Sequence, residues 1–206
     1  MVWVGLAVVA GAPVGALVRW RVRRLTHRRA DESPNSTPPV WWLIPLVAAS
    51  WGWLTWRLLY APWPILTLWL PLSAALAWLA AVDLDVARLP DRILVPAAIW
   101  TALGVAVTMW ITGPIAGVGP ILAAALCGGG FWILHLVGGG TLGFGDVKLT
   151  AVIGAATALV SLTAVLYALV AGCVLTIAWA IARRRSELAF GPWLALGAVL
   201  AVGLAR

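Results

Sequence analysis

Charge is what this chain has least of. Asp, Glu, Lys and Arg make up 10% of its 206 residues, against about 25% in a soluble domain. Hydrophobic residues make up 63% and the mean hydropathy is +1.01. One small water-soluble core cannot bury that much apolar surface, so the composition excludes a soluble globular domain and points to a multi-spanning membrane protein. Cysteine is scarcer still. Cys127 and Cys173 both lie in apolar segments and no C-x-x-C occurs, which excludes a disulfide framework and a thiolate zinc site. Both read as small buried apolar residues. No metal ligand set and no cofactor motif is found, so none is expected. The net charge of +7 does not point to nucleic acid. The basic residues sit in short clusters between long apolar stretches, which is how membrane topology is encoded.

Apolar segments run at about 2–18, 40–56, 62–82, 93–112, 114–137 and 188–205. A further stretch, Leu149 to Ala182, is uncharged for 34 residues. As one helix it would be ~51 Å long, well beyond the ~30 Å hydrocarbon core. It is therefore divided near Gly154–Ser161 into a short helix and a full one. The expected fold class is an all-α membrane bundle of about eight spans forming a single domain over 1–206.

The basic residues test that topology. The arginines at 19, 21, 23 and 24 follow the first apolar stretch rather than precede it, which argues against a cleaved signal peptide and for a first span with its N-terminus outside. The inner loops then hold twelve of the fourteen basic residues, leaving only Arg57 and Arg206 outside. A missed or extra span would scramble this pattern. Trp41, Trp42, Trp63 and Trp193 fall near proposed span ends, where aromatic anchors belong. The segment Thr26–Pro39 is the one clearly hydrophilic stretch and reads as a short cytoplasmic loop.

Acids are few, seven in all. Asp31, Glu32 and Glu187 sit among polar or basic residues and read as solvated charges. The other four are placed differently. Asp83, Asp85 and Asp91 lie in the run Ala81-Val82-Asp83-Leu84-Asp85-Val86-Ala87-Arg88-Leu89-Pro90-Asp91, and Asp146 in Gly143-Phe144-Gly145-Asp146-Val147-Lys148. Both runs fall at the inner ends of spans. An ionisable group at the membrane boundary is costly and is by default a functional candidate. Two carboxylates held together in a partly dehydrated site cannot easily both ionise, so they share one proton. One can then activate water while the other protonates a leaving group. Gly143 and Gly145 permit close backbone approach, Gly138–Gly140 suggest a flexible entry, and Pro90 would break the helix extending from Asp83.

On the residues alone three readings stay open: a peptidase using Asp83 and Asp146, a proton-coupled transporter, and a non-enzymatic membrane scaffold. A transporter would carry mid-span acids and broken helices at matching positions in two halves, and neither is seen. His135 near a helix end reads as hydrogen-bonded to backbone.

The motifs decide further. The run Asp83 to Asp91, with its Leu89-Pro90-Asp91, and the run Gly143-Phe144-Gly145-Asp146-Val147-Lys148-Leu149 resemble the two motifs of the type IV prepilin leader peptidases, membrane aspartyl peptidases of the GxGD type. Ala189-Phe190-Gly191-Pro192-Trp193-Leu194-Ala195 is similar to that family's FGPxLA stretch. The likeness holds over 62–206, read as the peptidase core. It implies Asp83 and Asp146 as the catalytic pair, with Asp85 the alternative to Asp83. Asp91 and Pro90 are implied as supporting structure, and Lys148 as a residue tuning Asp146 or touching substrate. It also implies a prepilin or pseudopilin precursor as substrate, cleaved at the cytoplasmic face of a bacterial inner membrane. Longer members carry two C-x-x-C pairs in the first loop and N-methylate the new amino terminus. Here residues 19–39 hold no cysteine, so the resemblance is to a short form expected to lack the methyltransferase activity.

Overall fold

The computed structural model describes residues 1–28, 40–140, 142–183 and 189–204. Most of the hydrophilic loop, with Asp31 and Glu32, lies outside the described residues, as do Arg184, Arg185, Glu187 and Arg206. Among the described residues the fold is all-α, with eight α-helices. They are α1 (Val2–Arg23), α2 (Leu43–Leu58), α3 (Trp63–Val86), α4 (Asp91–Thr112), α5 (Val118–Val137), α6 (Phe144–Ala158), α7 (Leu162–Arg183) and α8 (Gly191–Leu204), with a 3-10 turn, Pro114–Gly117, leading into α5. Each expected apolar segment becomes one helix. Five are long and apolar enough to cross a membrane: α1, α3, α4, α5 with its leading turn, and α7. The other three have 14 to 16 residues. The chain is a polytopic helical membrane bundle.

The long uncharged stretch divides where length requires. α6 ends at Ala158 and α7 begins at Leu162, with a turn closed by Val160 N–H to Thr157 C=O at 2.9 Å. The Ser161 hydroxyl then caps the new helix by accepting from Ala164 N–H at 3.1 Å. Gly154 is not part of the break. It lies inside α6, where an added Cβ would stand 2.8 Å from Ala123 C=O of α5.

Small residues bring helices together, as expected where lipid tails are as apolar as leucine and packing must drive association. Gly11 and Gly15, one turn apart on α1, meet the backbone of Ala48 and Ile44 on α2. Gly172 and Gly197 meet across α7 and α8. The centre belongs to α3, whose Leu68, Trp69, Leu72, Leu76 and Leu79 are fully buried against Leu194 and Ala198 of α8, Leu94 of α4, and Leu149 and Ile153 of α6. The periphery is equally apolar but exposed. Leu166, Val170, Val174, Ile177 and Ile181 of α7 and Leu126 and Ile133 of α5 face outward. So large an apolar surface is suited to lipid rather than water. Cys127 is buried between α5 and α6, Cys173 is half-buried, and both are free.

Candidate active site

Asp83 lies in the last turn of α3 and Asp146 in the first turn of α6. α3 runs on to Val86 and is stopped at Ala87, which takes a left-handed conformation (φ 49°) and returns its N–H to Asp83 C=O at 2.9 Å. Pro90 then serves as the N-cap of α4. The break expected at Pro90 thus falls three residues earlier, and the proline fixes the entry to the next helix.

Asp83 is 5% exposed. Its Oδ2 accepts a hydrogen bond from Gly191 N–H at 3.1 Å. Gly191 is the first residue of α8, so the carboxylate sits at a helix N-terminus, where free N–H groups and the helix dipole favour an anion. Asp146 is also near a helix start, α6, with its N–H bonded to Gly143 C=O at 3.0 Å. Its side chain lies within electrostatic reach of Asp83. Asp146 Oδ1 is buried and accepts no hydrogen bond from any of the described residues. A buried acceptor of that kind calls for a reason.

Leu89 joins the three motifs. A Cβ added to Gly145 would stand 2.8 Å from Leu89 Cβ, and one added to Gly191 would stand 3.2 Å from Leu89 Cδ2 and 3.0 Å from Asp83 Oδ2. Glycine at both places lets α6 and α8 close onto the α3–α4 connection, and this closure brings the two acids to one end of the bundle. Gly143, the N-cap of α6, is exposed, and its space is bounded by Asp146 Oδ2. Gly138–Gly140 form a closed turn ending α5. Gly139 and Gly140 are left-handed (φ 61° and 83°), and Gly140 N–H bonds His135 C=O at 3.0 Å. His135 Nδ1 pairs with Leu142 C=O, the backbone role expected for it.

The neighbouring acids are engaged elsewhere. Asp85, 7% exposed at its side chain, is held by Arg28 through Nε to Oδ2 at 2.8 Å and Nη2 to Oδ1 at 2.6 Å. His27 Nε2 lies 2.8 Å from the same Oδ2. Arg88 Nη2 donates to His27 C=O at 3.0 Å. Lys148 Nζ pairs with Asp91 Oδ1 at 2.7 Å in an exposed bridge between the first two motifs. Sequence reasoning missed Gly191 as a partner of Asp83, and missed His27 and Arg28 as partners of Asp85. The FGP run pointed to the first. Nothing pointed to the other two beyond their place in a basic cluster.

A family model described as the type IV leader peptidase family matches residues 70–181. This chain belongs to that family. The matched stretch takes in Asp83, Asp85, Asp91 and Asp146, and ends before Gly191. A curated protein of Pectobacterium carotovorum subsp. carotovorum named prepilin leader peptidase/N-methyltransferase is 29% identical over 195 residues, covering 89% of this chain and 66% of the relative. The chain thus spans about two thirds of that relative's length. No solved structure matches.

Proposed function

We propose that this type IV leader peptidase family member is an aspartyl endopeptidase that removes the leader of prepilin-like or pseudopilin precursors, with Asp83 and Asp146 as its catalytic pair. The observation that carries the reading is the placing of two carboxyl groups from different helices within electrostatic reach of each other, one buried and bonded to a helix start, the other with a buried oxygen that has no hydrogen-bond partner among the described residues. With one proton between them, the ionised carboxylate takes a proton from water as the water oxygen attacks the scissile carbonyl carbon. The protonated carboxyl gives its proton to the carbonyl oxygen. Collapse of the resulting diol breaks the C–N bond, and the departing nitrogen leaves with a proton from the pair. Asp85 is excluded from that pair in this reading because Arg28 and His27 already occupy its oxygens.

The proposal places the site at the cytoplasmic face of a bacterial inner membrane, with eight spans and an outside N-terminus. The clustering of basic residues in alternate loops supports it. It includes no methyl transfer, since residues 19–39 hold no cysteine pair. The experiment is co-expression with a precursor carrying a basic leader and a glycine before its apolar segment. Processing by the wild-type chain and its loss in Asp83→Ala and Asp146→Ala are expected. Wild-type rates in either variant would remove that residue from the pair. Proton flux in proteoliposomes without substrate would favour a transporter.

A further inference from the structure

A second polar feature lies apart from the acids, at the end of α1. Arg19, Trp20, Arg23 and Arg24 share one stripe of the helix with Ala16, and together with Ile44 at the start of α2 they line a hollow of about 310 Å³. Its lining combines three cationic side chains with apolar Ala16 and Ile44. The Arg24 guanidinium stacks on the Trp20 ring, 3.7 Å from its centroid. Stacking of this kind fixes the plane of a guanidinium and leaves its edge N–H groups to meet an oxyanion. Among the described residues no acid pairs with Arg19, Arg23 or Arg24. The start of α2 adds to the field: it has no acidic residue in its first turn and no side-chain cap at Trp42, so no side chain of its own offsets its positive dipole end. Three guanidiniums lining one hollow, with no acid partner among the described residues, repel one another unless an anion joins them.

The position selects the anion. α1 is a candidate span with these arginines at its C-terminal end, Arg23 in the last turn and Arg24 as the C-cap, and Trp20 and Trp41 nearby are exposed, as aromatic side chains are at headgroup depth. One turn earlier along α1 the surface is apolar at Ala16, with Leu17 beside it exposed, and Ile44 of α2 adds to that apolar lining. A phosphate above and hydrocarbon below is the outline of a phospholipid. We infer that this hollow binds the phosphate of an anionic membrane lipid, with Arg19, Arg23 and Arg24 on the headgroup and the acyl chain along Ala16 and Leu17. The inference is independent of the peptidase reading.

The test is native mass spectrometry of the full chain released from detergent, titrated with phosphatidylglycerol, phosphatidylcholine or inorganic phosphate. Wild type is expected to retain one phosphatidylglycerol. The triple variant Arg19→Gln/Arg23→Gln/Arg24→Gln should bind it more weakly by about tenfold or more, while Arg21→Gln, which removes a neighbouring charge outside the hollow, should not. If the triple variant does not fold, Arg19→Gln and Arg23→Gln read separately should each weaken binding severalfold. Unchanged affinity in these variants, equal loss in Arg21→Gln, or equal retention of phosphatidylcholine would overturn the site. Displacement of the lipid by millimolar inorganic phosphate would overturn its assignment to a lipid in favour of a free anion.

Discussion

Arg28 grips Asp85 with two parallel hydrogen bonds, at 2.8 and 2.6 Å, across 57 positions of sequence. The pair ties the segment after α1 to the last turn of α3, two residues from Asp83. His27 adds a contact to the same carboxylate. Asp85 is thereby a brace beside the candidate pair, and the two nearby acids can be told apart by experiment.

Asp85→Asn is expected to keep substantial peptidase activity while lowering the melting temperature. Breaking one side of a largely buried ion pair costs about 1–3 kcal/mol. Arg28→Ala should lower stability by a similar amount, and the double variant by less than the sum of the two. Near-complete loss of cleavage in a folded Asp85→Asn protein would move the catalytic role from Asp83 to Asp85.

Asp83→Asn and Asp146→Asn should each leave the protein folded and uncleaved precursor in the cell. Loss of one member of an acid–base pair is worth roughly 10²–10⁴-fold in rate. Purified enzyme and precursor give that number directly, with thermal unfolding as the control for folding.

Gly191→Ala tests whether the third motif acts on Asp83. Its methyl would stand 3.0 Å from Asp83 Oδ2 and 3.2 Å from Leu89 Cδ2, displacing the carboxylate from its N–H donor. A hydrogen bond to a charged group is worth about 1.5–3 kcal/mol, so a fall in kcat of about tenfold to a hundredfold is expected. An unchanged kcat in a folded Gly191→Ala protein would show that the contact does not position Asp83.

Lys148→Ala separates two roles for the motif lysine. Its bond to Asp91 is exposed, and pairs of that kind contribute ~0–1 kcal/mol. Stability should hardly change, and Asp91→Ala should match it. A large drop in precursor cleavage with Lys148→Ala alone would mean that the lysine meets substrate instead.

The helix count was legible because length and hydropathy set it. A 34-residue uncharged run has to divide, and it does so at Leu159–Ser161. The placing of four acids at helix ends was legible for the same reason, since charge is excluded from span interiors. Periodicity could not reach the contacts that close the site. The bond from Gly191 to Asp83 and the grip of Arg28 on Asp85 join residues 108 and 57 positions apart. In the sequence Leu89 is only a member of the Leu89-Pro90-Asp91 motif, and its role between Gly145 and Gly191 exists only once α6 and α8 are packed.

The Gly191 contact also bears on how the protein is made. Asp83 emerges from the ribosome 108 residues before its partner, a lag on the order of ten seconds at ~5–20 residues per second. Until α8 is synthesised and inserted, Asp83 has no N–H to bind and Leu89 no second wall. A half-made chain therefore lacks the contact that holds Asp83 at the start of α8, and the order of synthesis delays that contact until the last described helix is in place.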